Sequence, residues 1–111
     1  MAHDEDLAAR LRALLSGERG VTEKRMFGGI AFLVNGNMAI AASAKGGLLV
    51  RADPADGDRL VASGKARPMT MRGRAMTGWL RVDAASVRTK AQLTTWAKGA
   101  TAYARSLPAK R

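Results

Sequence analysis

The chain has 111 residues, 47% of them hydrophobic and 25% charged, which suits one globular domain that needs neither disulfide nor metal to hold its core. It has no cysteine and a single histidine, His3 at the N-terminus, which excludes disulfides, thiolate metal sites, thiol nucleophiles and a serine–histidine triad. The net charge is +10, and all of the excess lies in residues 65–111, with 11 Lys or Arg against the single acid Asp83, while residues 1–64 balance at 8 against 8.

Met1-Ala2-His3-Asp4-Glu5-Asp6 is acidic, unlike the basic start of a signal peptide. No apolar run reaches the roughly 20 residues that cross a bilayer. These features set the expectation of a cytoplasmic protein without a membrane partner. Leu7, Leu11, Leu14 and Leu15 then repeat at helical spacing, and Ser16-Gly17 ends the helix. Asp4, Glu5 and Asp6 suit the positive end of its dipole.

Strands follow. Val21–Phe27 is the weakest, with mixed polarity. Ile30–Val34 is apolar and branched, and it runs into Asn35-Gly36, the strongest short-range hairpin signal. Met38–Ala42 is the return strand. Lys45-Gly46-Gly47 makes another turn, and Leu48–Arg51 is the third or fourth strand of the meander. Asp53-Pro54 opens a second helix, with Asp53 as cap and Pro54 in the first turn, and Ser63-Gly64 closes it. Leu60 and Val61 give it a narrow apolar face.

Arg67-Pro68 forces extended geometry. Met69–Arg72 and Ala75–Val82 form a hairpin around Gly73-Arg74. Along the second strand Met76, Gly78, Leu80 and Val82 share one face, and Ala75, Thr77, Trp79 and Arg81 the other. Thr89-x-x-Gln92 is a capping box that opens the last helix, along which Leu93, Trp96, Ala97, Ala100, Tyr103, Ala104 and Leu107 follow helical spacing up to Pro108. Short turns between neighbouring strands predict an antiparallel sheet in an α+β domain, with helices over one face. One domain spans 1–111, with an ordered core from about residue 4 to residue 108 and a basic tail, 109–111.

Few residues point to chemistry. Asp53, Asp56 and Asp58 form the one acid cluster after the N-terminus, and acids gather in a first helical turn whether or not a cation binds there. The serines at 16, 43, 63, 86 and 106 sit in turns, caps or helix ends. Gly28-Gly29 follows a strand as a phosphate loop would, but no Gly-Lys-Ser/Thr follows and the next residues read as another strand. A turn or bulge is the plainer reading. Met26, Met38, Met69, Met71 and Met76 suit either a core or an adaptable groove. One constellation carries charge. Lys65, Arg67, Arg72, Arg74 and Arg81, with Trp79, lie on one hairpin and its approach. Such a ribbon can track phosphates and stack a base, meet an acidic protein surface, or simply protect a sheet edge.

Lys24–Gly29, with Met26-Phe27-Gly28-Gly29 at its centre, resembles the N-terminal domain of the TfoX/Sxy family. So do Phe32-Leu33, Gly36-Asn37-Met38, Leu48–Arg51, Arg67-Pro68-Met69, Gly73-Arg74, Gly78-Trp79, Trp96 and Tyr103–Pro108, in that order. The resemblance implies a secretion-chaperone-like fold, α-β(3)-α-β(2)-α, around one antiparallel sheet of about five strands. It implies regulation of natural competence, which in the family's best-known members operates with the cyclic-AMP receptor protein at promoters. Those members carry a second, C-terminal domain resembling a helix-hairpin-helix module, so the resemblance implies a stand-alone version here. It supplies no catalytic residue, and Met26, Phe27, Gly28 and Gly29 serve as a fold signature.

The expected function is therefore a non-enzymatic binding or regulatory module, without a cofactor, acting through a protein partner and linked to transcription or competence. The alternative is weakly specific nucleic-acid binding through the basic hairpin and the last helix. A remote alternative is a small-ligand protein or an enzyme with a methionine-lined groove. The first needs an exposed apolar patch, the second needs Arg67, Arg72, Arg74 and Arg81 on one face, and the third needs an enclosed pocket with convergent polar groups. An exposed sheet edge also gives the chain a route to a homodimer.

Overall fold

A computed structural model describes residues 5–26, 29–43, 47–64, 66–71, 73–83 and 87–108. The elements run α1 (Glu5–Leu15), β1 (Val21–Met26), β2 (Gly29–Val34), β3 (Asn37–Ala42), β4 (Leu48–Arg51), α2 (Pro54–Ala62), β5 (Arg67–Met71), β6 (Arg74–Val82) and α3 (Lys90–Ser106). The six strands form one antiparallel sheet in the order β1-β2-β3-β4-β6-β5. The sheet is α+β in class as expected, with one strand more than the expected five. Four strands precede α2 because Val21–Met26, weak as its pattern is, pairs along its whole length with β2.

Local chemistry fixes each element. Asn35 and Gly36 have φ of +52° and +84°, the left-handed pair that a two-residue hairpin requires, and Val34 faces Asn37 across it. Asp53 accepts a hydrogen bond from the Ala55 amide and caps α2. Thr89 and Gln92 close the capping box reciprocally at the start of α3. Ser16, Ser63 and Ser106 each donate to the carbonyl three residues back, as helix-end serines do.

The main core lies between the helices and one face of the sheet. Phe32, Val34, Ile40, Leu48, Val50, Leu80 and Val82 meet Leu7, Leu11 and Leu15 of α1 and the stripe Leu93, Ala97, Ala100, Ala104 of α3. Small residues on α3 let the helix lie close to the strands. Gly57 of α2 sits 3.8 Å, at the position a Cβ would take, from Leu80. Val87, in the connection between β6 and α3, and Ala66 also enter this core.

One corner of the domain is tied by polar contacts. The Asn37 side chain, only 4% exposed, donates to the Pro108 carbonyl at 2.9 Å. Arg105 donates to the Arg19 carbonyl and lies 3.6 Å from Glu18. The Asn35 amide donates to the Gly20 carbonyl. The end of α3, the α1–β1 connection and the β2–β3 turn are thereby held together. Gly36-Asn37 and Arg105–Pro108, which carry part of the family resemblance, are structural here. No helix among the described residues is long and apolar enough to cross a membrane.

Candidate functional site

Strands alternate their side chains between two faces, so the residues not pointing at the helices share the opposite face. That face holds a second cluster: Ala31, Met38, Ala41 and Leu49 are buried, and Leu33, Met69 and Trp79 pack on them while partly exposed. No helix among the described residues contributes to it. Trp79 lies across from Arg51, whose guanidinium carbon stands 5.3 Å from the ring centroid, a cation–π arrangement. Arg81 lies opposite both Leu49 and Arg67. Lys24 lies opposite Ala31 at the far side. The open face therefore has an aliphatic centre with Trp79 at one side and cations around it, one of which, Arg67, is paired with Asp83.

The hairpin residues are placed unequally. Arg67 and Arg81 are directly opposite each other, on the open face with Trp79. Arg67 makes an ion pair with Asp83. The backbone of Arg74 faces Met71. Lys65 and Arg72 lie outside the described residues, as do His3, Phe27 and Gly28. Gly29 opens β2 opposite Met26, so a strand and not a helix follows the Met-Phe-Gly-Gly segment. Met38 and Met69 belong to the open-face cluster and not to the main core. The basic residues of the last helix are elsewhere. Lys90, Lys98 and Arg105 are exposed on α3, on the opposite side of the sheet from Arg67 and Arg81. The described basic side chains of the hairpin, Arg67 and Arg81, and those of the helix thus lie on different sides of the sheet.

A groove of about 690 Å³ runs between α2 and α3 over the end of β4, with Leu60, Trp96, Ala100 and Tyr103 among its walls. Several of its polar groups are already engaged. Asp53 caps α2, Asp56 pairs with Arg59 at 3.0 Å, Gln92 closes the capping box, and Thr95 donates to the Ala91 carbonyl. Of the acid cluster seen in the sequence, Asp53 is used in helix capping and Asp56 in this surface pair. On the helix side of the sheet, Arg12 of α1 grips Glu23 of β1 with two hydrogen bonds of 2.7 Å. This side-chain hydrogen bonding holds the Glu23 carboxyl below its ordinary range and pushes the Arg12 guanidinium up.

The sequence singled out Trp79, Arg67 and Arg81 but not Lys24, Leu33, Leu49 or Arg51, which complete the face. Their signal was present as period-two alternation. It was masked because Met38–Ala42 and Ile30–Val34 are apolar on both faces and so do not declare which side is covered.

No curated protein and no solved structure matches the chain. The TfoX N-terminal domain family matches residues 13–104, which takes in every strand, α2 and most of α3. A match over that much of its length means that the chain belongs to the TfoX N-terminal domain family.

Proposed function

We propose that this domain is a non-enzymatic binding module of a regulatory kind, acting through protein contacts and linked to transcription or competence regulation. Family membership supports the regulatory sense. The observation that carries the protein-contact sense is the open face of the sheet, where Leu33, Met69 and Trp79 are part-exposed over a packed aliphatic centre. Apolar surface of this kind, bordered by polar groups, is what protein interfaces present. The two sheet edges are less suited to pairing: β1 shows exposed Glu23, Lys24 and Arg25, and β5 carries Pro68, which cannot donate to a ladder.

The test is a photo-crosslinking amino acid placed in cells at Thr22, exposed on the open face opposite Leu33, or at Lys98, exposed on α3. The reading expects discrete protein adducts from Thr22 and none from Lys98. Adducts of equal pattern from both positions contradict it. One observation favours the second reading, nucleic-acid binding: Arg67 and Arg81 face each other on the open side with Trp79. That reading expects random-sequence duplex to bind with a steep salt dependence that Arg81→Ala reduces.

A further inference from the structure

We infer that the open face of the sheet is a docking surface for an acidic amphipathic helix of a partner protein. This inference rests on the binding-module reading and adds the class of partner and the side chains that select it. Three observations lead to a helix. Six strands at about 4.8 Å spacing make a face roughly 24 Å across, and a helix is about 10 Å wide, so it fits within that width. The other face already takes helices on the same kind of aliphatic surface. A helix here gives the sheet a third layer, an arrangement that buries apolar surface on both of its sides. Strand addition is opposed by the charges on β1 and Pro68 on β5.

The charges choose the sign. Lys24, Arg51 and Arg81 border the apolar centre. Asp83 is the nearest acid in the hairpin, and it is held by Arg67. A partner with glutamates or aspartates flanking a leucine-type stripe meets cations on both sides of the centre, which speeds encounter and fixes orientation. A second copy of this chain is disfavoured, because it sets Arg81 and Lys24 against the same cations on a molecule of net charge +10. Nucleic acid fits less well. Its bases need several stacking rings, while the face has one among its described residues, and Arg51 already covers it.

The test uses the whole chain and a labelled synthetic peptide of about 18 residues, long enough to form several helical turns, with one leucine stripe and glutamates on both flanks. Fluorescence anisotropy is measured at low salt. The expected result is saturable binding that Arg81→Glu weakens by about tenfold or more and Lys98→Glu leaves unchanged. Both substitutions alter net charge equally, but Lys98 lies across the sheet. A peptide with lysines in place of glutamates is expected not to bind. Circular dichroism checks that each variant is folded. Equal weakening by Arg81→Glu and Lys98→Glu overturns the inference, since it reports net charge alone. Binding of a random oligonucleotide that Arg81→Glu abolishes, with no peptide binding, assigns the face to nucleic acid and overturns it. Dimerisation that Arg81→Glu strengthens assigns it to a second copy. If the peptide fails while Thr22 still yields discrete adducts in cells, the acidic helix is wrong and the broader reading stands. If the contrast between Thr22 and Lys98 also vanishes, both fall.

Discussion

Phe32 is 2% exposed on β2, opposite Ile40 on one side and Glu23 on the other. Its ring fills the space between the strands and the helix layer. Phe32→Ala is expected to lower stability by about 3–5 kcal/mol, read as a shift in the denaturant midpoint. The opposite sign is expected at Gly57. It is buried within α2, has no positive φ, and an added methyl would meet Leu80 at ordinary contact distance. Gly57→Ala should therefore stabilise by about 0.5–1 kcal/mol, because alanine favours the helix and the space is available. Gly20 behaves differently: its φ is +73° and a Cβ would come 2.3 Å from the Asn35 side-chain oxygen. Substitution there strains the corner.

The pair of Arg12 and Glu23 is also a single-residue feature with a pH signature. The folded state holds the Glu23 pKa below its unfolded value, chiefly through the hydrogen bonds from Arg12. Its contribution to stability is thus fully present above the unfolded pKa, about 4.3, and is lost as pH falls through the lowered folded value. Wild type should exceed Glu23→Gln in thermal stability by a constant margin above that pH. The margin should shrink on the acid side, and a margin that grows there would contradict the assignment. Both side chains are well exposed, so salt should reduce it too.

At the scale of elements, α3 is held by its stripe of Leu93, Ala97, Ala100 and Ala104 and by the capping box at its start. Thr89→Ala removes an acceptor for the Gln92 amide and should cost about 1 kcal/mol in chemical unfolding. The elements were largely legible in the sequence because local signals agreed with the fold: Asn35-Gly36 for the hairpin, Asp53-Pro54 for α2, Thr89 and Gln92 for α3. β1 was the weakest, since Thr22, Glu23, Lys24 and Arg25 carry no apolar alternation and only pairing with β2 makes them a strand. Val87 was not foreseen, because a lone apolar residue in a connection has no period to betray its burial. The site was half legible. Arg67, Trp79 and Arg81 were visible as a charged ribbon with a ring, but their union with Lys24, Leu33, Leu49 and Arg51 depends on strand order. That β6 lies beside β4 and not at the sheet's edge is a tertiary fact.

The whole molecule is two-sided. One face of the sheet is sealed by three helices, and the other is aliphatic at its centre and cationic around it. The positive excess of residues 65–111 is split between these sides, with Arg81 on one and Lys98 on the other, so electrostatic variants can be matched in charge and separated in place. The absence of native cysteine permits a direct probe of the asymmetry. A single thiol is placed at Leu33, on the open face, or at Ala97, 1% exposed beneath α3, and its alkylation rate is measured in the native protein against the unfolded chain. The account predicts that Leu33→Cys reacts within about an order of magnitude of the unfolded rate, while Ala97→Cys is slowed by roughly a thousandfold or more, as buried sites that open only by unfolding require. If Leu33→Cys is slowed as much as Ala97→Cys, the chain itself covers that face, and the sheet offers no surface for a partner.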